Sequence, residues 1–343
     1  MERVKLIDVA REAGVHAATA SRALNPATRD TVNRKTIRRV EQAAQRLGYV
    51  PNALARGLRT ARSNVIALVI PDITNGLFPA LVRGAAQVLG TAGYTLVLTD
   101  TNNDPAAEHA QVASMRARGA DGFIVATAWW QDPQVDELAS TDLPVVLVAR
   151  QTSARSLPYV GADDQRGIQL CVDHLAALGH RQIVHLAGPA DTSPGRDRTT
   201  AFRQAMRAHR LPAGPSAVKP CAAFTEQAGI DATRELLASG QPFTAVVAGN
   251  DLLALGAMAT LKDAGVSCPE QVSVTGFNDL PFMDKLTPAL TTVRLPMHDM
   301  GALAARTLLD WIASPRERQP TQTLLPVELI VRDTTRPATR LQA

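Results

Sequence analysis

Apolar residues at Leu6, Val9, Ala10 and Ala13 recur at the spacing of one helical face, and Gly14 then breaks the pattern. A second short helix fits Ala17–Leu24, stopped by Asn25 and Pro26. A third fits residues 33–47, with Ile37, Val40, Ala44 and Leu47 on one side and Gly48 as its end signal. The few residues around Gly14 make the connection of a helix-turn-helix, so the second helix is the one expected to enter a DNA groove.

From residue 63 onward the pattern changes to short apolar runs alternating with amphipathic stretches. Strands are expected at 65–70, 94–99, 122–127, 145–149, 183–187, 245–248 and 272–276. Helices are expected at 79–92, 105–118, 164–178, 197–209, 225–239 and 251–264, many closed by a glycine. This βα alternation predicts parallel sheets covered on both faces, and some 280 residues suggest two such sheets.

Charge separates the two regions further. Residues 1–62 hold 13 Lys and Arg against 5 Asp and Glu, whereas residues 63–343 hold 23 against 27. A small basic head on a mildly acidic body is the electrostatic pattern of a nucleic-acid-binding module joined to a part with another task. The rest of the composition is that of an ordinary globular chain, with 45% hydrophobic and 20% charged residues. The longest apolar run, Val65–Ile70, is too short to span a bilayer, and residues 1–7 lack the apolar stretch of a signal peptide, so a cytoplasmic protein with no membrane association is expected. Cys171, Cys221 and Cys268 are far apart, which fits free thiols better than a disulfide framework or a metal site.

The head's cations point to phosphate. Arg34, Lys35, Arg38 and Arg39 crowd the first turns of the third helix, where its dipole disfavours positive charge and an anionic partner would relieve the cost. In the second helix Arg22 is the long basic side chain, able to bind guanine O6 and N7 with its bidentate fork, while Ala17 and Ala18 offer only methyl groups. After Gly48, residues 53–59 form a candidate short helix that needs a partner to order, with Leu58 able to wedge between base steps in the minor groove or to pack back on protein.

In open α/β sheets ligands bind beyond the carboxyl ends of the strands. There the sequence places Asp72 and Asn75, Asp100 and Asn102, Trp129 and Trp130, Arg150, Asn250 and Asp251, and Asn278 and Asp279. Carboxylates, amides and a guanidinium suit a polar small molecule, and an indole can stack on its apolar face. Helix capping is the competing role for Asn250, and structural packing for the tryptophans. The chain has no GxSxG, Walker A, HExxH or GxGxxG run and its seven histidines are scattered, so a binding body is favoured over an enzyme.

These residues resemble the LacI/GalR (lactose repressor) family of bacterial transcriptional regulators over nearly the whole chain. Asp8-Val9-Ala10, Ala13-Gly14-Val15, Ala18-Thr19 and Ser21-Arg22-Ala23-Leu24-Asn25 look like the family's helix-turn-helix, and Leu47-Gly48-Tyr49 and Pro51-Asn52 with Leu58 look like its hinge. In the body, Pro71-Asp72-Ile73-Thr74-Asn75, Leu178-Gly179-His180-Arg181, Asn250-Asp251 and Pro288 to Val293 continue the likeness. The resemblance implies a small all-α helix-turn-helix head (1–48), a hinge (49–62) and an α/β two-lobed periplasmic-binding-protein-like body (63–343) that crosses between lobes three times. Its N-lobe is expected at about 63–162 and 296–321, and its C-lobe at about 163–295 and 322–339.

It also implies a homodimer on a double-stranded, pseudo-palindromic operator. Leu6, His16, Ala17, Ala18, Thr19, Ser21, Arg22, Asn25, Arg34, Lys35, Asn52, Ala55 and Leu58 would face DNA. Asp72, Asn75, Phe78, Trp129, Trp130, Arg150, Arg198, Asn250, Asp251 and Asn278 would surround a sugar-like effector, with no cofactor and no metal. His16 stands where the family usually has Ser, Ala20 where it has Val, and Ala149 and Asn278 where Asp is common. A repressor switched by a sugar or sugar derivative is therefore expected; the alternative is a solute-binding receptor with no role in gene regulation.

Overall fold

The computed structural model describes residues 4–25, 28–49, 62–317 and 319–338 and divides into two units, Met1–Ser63 and Asn64–Ala343. In the first, three helices, α1 (Leu6–Glu12), α2 (Ala17–Leu24) and α3 (Arg34–Leu47), close over a core of Val9, Ala10, Ala20, Ala23, Ile37, Val40 and Ala43. Six of those seven side chains are alanine or valine, so the helices can approach closely around very little volume. Gly14, at φ +61°, makes the turn between α1 and α2. Asn33 caps α3 by accepting from the Lys35 amide at 2.9 Å, and Gly48, at φ +65°, ends it.

The second unit carries two sheets of six strands. β1 (Val65–Ile70), β2 (Thr95–Asp100), β3 (Gly122–Val125), β4 (Val145–Val148), β5 (Tyr159–Ala162) and β11 (Gln322–Leu325) lie in the order β11-β5-β4-β3-β1-β2, all parallel. β6 (Ile183–Ala187), β7 (Val218–Pro220), β8 (Ala245–Ala248), β9 (Ser273–Asn278), β10 (Thr291–Arg294) and β12 (Glu328–Ile330) lie in the order β12-β10-β9-β8-β6-β7, with only β12 antiparallel. Helices cover both faces, which is why β1, β3, β4, β6 and β8 are almost continuously apolar.

The two-lobed body thus matches the expected fold class, and the chain passes between sheets near residues 163, 295 and 326. The last crossing differs from expectation: β11 pairs with β5, so the first lobe's sheet runs to Leu325, four residues past the expected end. β5, β7, β10, β11 and β12 were not expected as strands, and neither α6 (Pro133–Ala139) nor α11 (Met297–Ala313) as helices. The remaining helices are α4 (Phe78–Thr91), α5 (Pro105–Ala117), α7 (Asp164–Ala177), α8 (Ser193–Ala208), α9 (Glu226–Ala238) and α10 (Asp251–Asp263). α8 starts four residues earlier than its sequence pattern suggested, because Thr192 caps it through the Gly195 amide and Pro194 fits its first turn.

α4 and α11 pack through glycine. A Cβ on Gly84 would fall 2.0 Å from the His298 carbonyl oxygen, and one on Gly301 would fall 2.0 Å from that of Leu81. In each sheet the order reverses beside the first strand, between β1 and β3 and between β6 and β8, and the loops after those strands form a crevice.

Candidate functional site

On the head, α2 presents Ala18 and Arg22 to solvent, with Ala17, Thr19, Ser21 and Asn25 partly exposed beside them. His16, the unusual residue before this helix, still caps it: Nδ1 accepts from the Ala18 amide at 3.3 Å. Ala20 is fully buried in the three-helix core, where a larger side chain would need the helices to move apart. Leu6 packs against that core from a half-buried position, so its role includes holding α1 in place.

Two groups of cations stand out on the head. Arg11, Arg29 and Arg46 pair with Asp8, Glu41 and Glu12. Arg22, Arg34, Lys35 and Arg38 are exposed and have no acidic partner among the described residues; Arg22 only folds back toward the Ala18 carbonyl, at 3.4 Å. Unpaired cations beside a small-residue helix surface are what a phosphate backbone requires. Asn52, Ala55 and Leu58, and with them the expected hinge helix, lie outside the described residues.

In the body a cavity of about 360 Å³ opens between the lobes at the two crevices. Asp72, Asn75, Phe78, Trp129 and Arg150 line it from the N-lobe, and Arg198, Asn250 and Asn278 from the C-lobe. Thr74 holds Asp72 through its amide and hydroxyl, both on Oδ1 at 2.8 and 2.6 Å, and Asn75 accepts from the Leu77 amide at 3.0 Å. Arg150 donates to the Thr127 carbonyl at 3.4 Å and to Asn103 Oδ1 at 3.2 Å, and lies 5.8 Å from the centre of the Trp129 ring. Burial holds its guanidinium down at about 10, against the raising influence of Glu108 and Asp191.

Arg198 is only 6% exposed. Its Nε meets Asp164 Oδ1 at 2.9 Å, Nη1 donates to the Gly249 carbonyl at 2.7 Å, and the guanidinium lies 3.9 Å from the centre of the Phe277 ring. Burial raises the Asp164 carboxyl above its usual range, and Arg198 pulls it back down. Both ends of the Asn250 amide are engaged: Oδ1 caps α10 through the Leu253 amide, and Nδ2 donates to the Phe224 carbonyl. Its capping role and its place in the wall coexist.

Two expected cavity residues are absent from its lining. Asp251 is 0% exposed and accepts from the Thr292 hydroxyl at 2.5 Å and the Leu280 amide at 2.7 Å, so it ties β10 and the loop after β9 to α10. Trp130 instead joins the lobes: its amide donates to the Asp191 carbonyl at 2.7 Å and Arg196 sits 4.8 Å from its ring centre. The Gln151 amide, donating to Ser193 Oγ at 2.9 Å, adds a second link across the lobes.

After β2 the wall is formed by Asn103 in place of Asp100 or Asn102, and after β9 Asp279 pairs with Arg294 and Arg332, outside the lining. Asp164, Asp191 and Phe224 also line the cavity; Asp164 reads in the sequence only as a helix start, and nothing local marks Phe224. Strain accompanies the site, since Ala149 at φ 61° and Asn278 at φ 125° hold conformations that favour glycine.

Residues 5–52 match the family model "Bacterial regulatory proteins, lacI family", and residues 172–335 match "Periplasmic binding protein-like domain". The ribose operon repressor of Halalkalibacterium halodurans is 31% identical over 332 residues, covering 96% of each chain. Among solved structures, the lac repressor dimer bound to operator and the anti-inducer ONPF is 26% identical with a TM-score of 0.86, covering 98% of this chain and all of that one. A complex of the transcriptional regulator CelR with cellobiose is 29% identical with a TM-score of 0.74, covering 97% and 100%.

Proposed function

Because the chain belongs to the LacI family of bacterial regulatory proteins, we propose that it is a transcriptional repressor whose operator affinity is set by a sugar or sugar derivative bound between the lobes of its body. The protein acts in the cytoplasm as a homodimer on a pseudo-palindromic operator. His16, Ala17, Ala18, Thr19, Ser21, Arg22 and Asn25 form the reading edge, Leu6 supports it, and Arg34 and Lys35 hold phosphates.

The observation that carries the effector reading is a cavity with hydrogen-bonding side chains on both lobes, Asn75 and Arg150 on one and Arg198 and Asn278 on the other. A ligand touching both walls favours one lobe arrangement, and an operator that prefers one arrangement is then coupled to it by the same factor in both directions. The names of relatives that repress a ribose operon or bind cellobiose support a sugar as the ligand class. Relatives are regulators and not enzymes, in keeping with a cleft that binds without reacting.

Selection of binding sites from random duplexes by the full-length protein tests the first half: a two-fold symmetric sequence is expected, and failure to enrich any sequence would refute it. Titrating that operator with and without a sugar panel tests the second; an unchanged operator affinity across the panel would remove the sugar as effector.

A further inference from the structure

Arg150 enters the cavity from the end of β4 and engages the protein through only two hydrogen bonds, both to neutral acceptors, the Thr127 carbonyl and the Asn103 amide oxygen. A guanidinium carries five N–H donors in a rigid fork. Among the described residues no carboxylate lies within ion-pair distance of it. Arg198 on the opposite lobe is different, because Asp164 matches its charge and Gly249 takes its remaining terminal nitrogen. A cation largely withdrawn from water without a counter-ion is costly, and the cost is recovered when an anion arrives.

Of the acids near Arg150, Glu108 and Asp72 are hydrogen-bonded elsewhere, and Asp191 stands in solvent beyond ion-pair distance. Glu108 accepts from the Thr127 hydroxyl at 2.7 Å, and burial lifts its carboxyl to about 7, so near neutral pH much of it is uncharged. Asp72 gives Oδ1 to Thr74, and Asp191 is exposed to solvent. On the far wall Asn278 is 6% exposed and its Oδ1 has no hydrogen-bond partner. A buried acceptor without a partner beside a cavity gains one when a small turn of its side chain brings it to a ligand donor. The cavity therefore offers an anion seat on one lobe and a hydroxyl seat on the other, with Phe78, Trp129 and Phe224 between them as apolar walls.

We propose that the effector is a sugar acid, a polyhydroxylated carboxylate whose carboxylate pairs with Arg150 and whose hydroxyl donates to Asn278 Oδ1. This rests on reading the cleft as a sugar site and narrows that reading to one charge type. A single planar carboxylate matches a single open fork. A phosphate dianion would bring a second charge that Arg198, already neutralised by Asp164, does not meet.

Calorimetric titration of the full-length protein with matched pairs tests this: D-gluconate against D-glucose, D-galacturonate against D-galactose and D-ribonate against D-ribose. Glucose 6-phosphate, a nucleoside and an amino acid complete the panel. At least one acid is expected to bind roughly tenfold or more tightly than its neutral partner. Arg150→Gln should remove that gap and Arg150→Lys should keep part of it. A neutral sugar binding as tightly as its acid overturns the sugar acid and leaves the sugar reading standing. Preference for the phosphate overturns the carboxylate. Silence from every acid overturns the proposal, and binding of the nucleoside or amino acid alone removes the sugar reading as well. The comparison of acids with neutral sugars uses the unaltered chain, so it stands even if an Arg150 variant fails to fold.

Discussion

Arg198 and Asp164 form a nearly solvent-free ion pair in which Nε and Nη2 both lie 2.9 Å from one carboxylate oxygen, Oδ1, at the edge of the cleft. The arginine comes from the second turn of α8 and the acid from the first residue of α7, just after the chain first leaves the N-lobe. Their pairing fixes where the C-lobe wall stands relative to the crossing.

Removing one partner leaves a buried charge alone. Arg198→Ala should destabilise the body by about 3–5 kcal/mol, and Asp164→Asn in the same chain should restore part of that loss. Urea unfolding of the two single variants and the double variant measures the coupling. Strictly additive losses would mean that the pair contributes nothing as a pair.

Arg22→Ala should weaken operator binding by roughly 1–3 kcal/mol and relax preference at one base pair, since its fork is exposed and unpaired on the reading helix. Lys35→Ala should instead weaken all duplexes alike and reduce the salt slope by about 1. Anisotropy titrations on operator and random DNA across salt concentrations separate the two. Equal losses on both DNAs for Arg22→Ala would assign it to phosphate.

Gly84 and Gly90 sit in the same helix with opposite surroundings. Gly84→Ala drives a methyl into the His298 carbonyl, so a loss of about 3 kcal/mol or more is expected; Gly90 has nothing within 4 Å of its missing Cβ, so Gly90→Ala should stabilise by about 0.4–1 kcal/mol. Thermal unfolding of both variants checks the contrast. Similar shifts in the two would refute the close-approach account.

Burial raises Glu108 from 4.5 to about 7, so the folded body binds this proton more tightly than the unfolded chain. Stability contributed by the protonated carboxyl is present below about 4.5 and is lost as pH rises to about 7, by up to about 3 kcal/mol. Urea midpoints of the wild type should therefore fall relative to Glu108→Gln between pH 5 and pH 8. Parallel curves for the two proteins would show that Glu108 does not titrate in that range.

Local sequence determined the head almost completely. Its helices are set by the spacing of Leu6, Val9, Ala10 and Ala13 and of Ile37, Val40 and Ala44, by the Asn33 cap and by Gly14 and Gly48, all signals that act within a few residues. The central strands of the body were equally legible, because a strand buried on both faces must be apolar throughout. So was part of the cleft, since ligands collect where parallel strands end, which brought in Asp72, Asn75, Arg150, Asn250 and Asn278.

Tertiary structure alone decided the rest. β10 opens with two buried threonines, Thr291 and Thr292, whose hydroxyls are satisfied by Asp251 and by residues beyond 330, so nothing nearby in sequence marks it as a core strand. β11 joins the N-lobe sheet by pairing with a strand 163 residues earlier, Gln322 beside Tyr159, and that pairing moves the last crossing. Trp129 and Trp130 are chemically identical neighbours in the loop after β3, yet one lines the cavity and the other links the lobes, because only the surrounding fold determines what each ring meets.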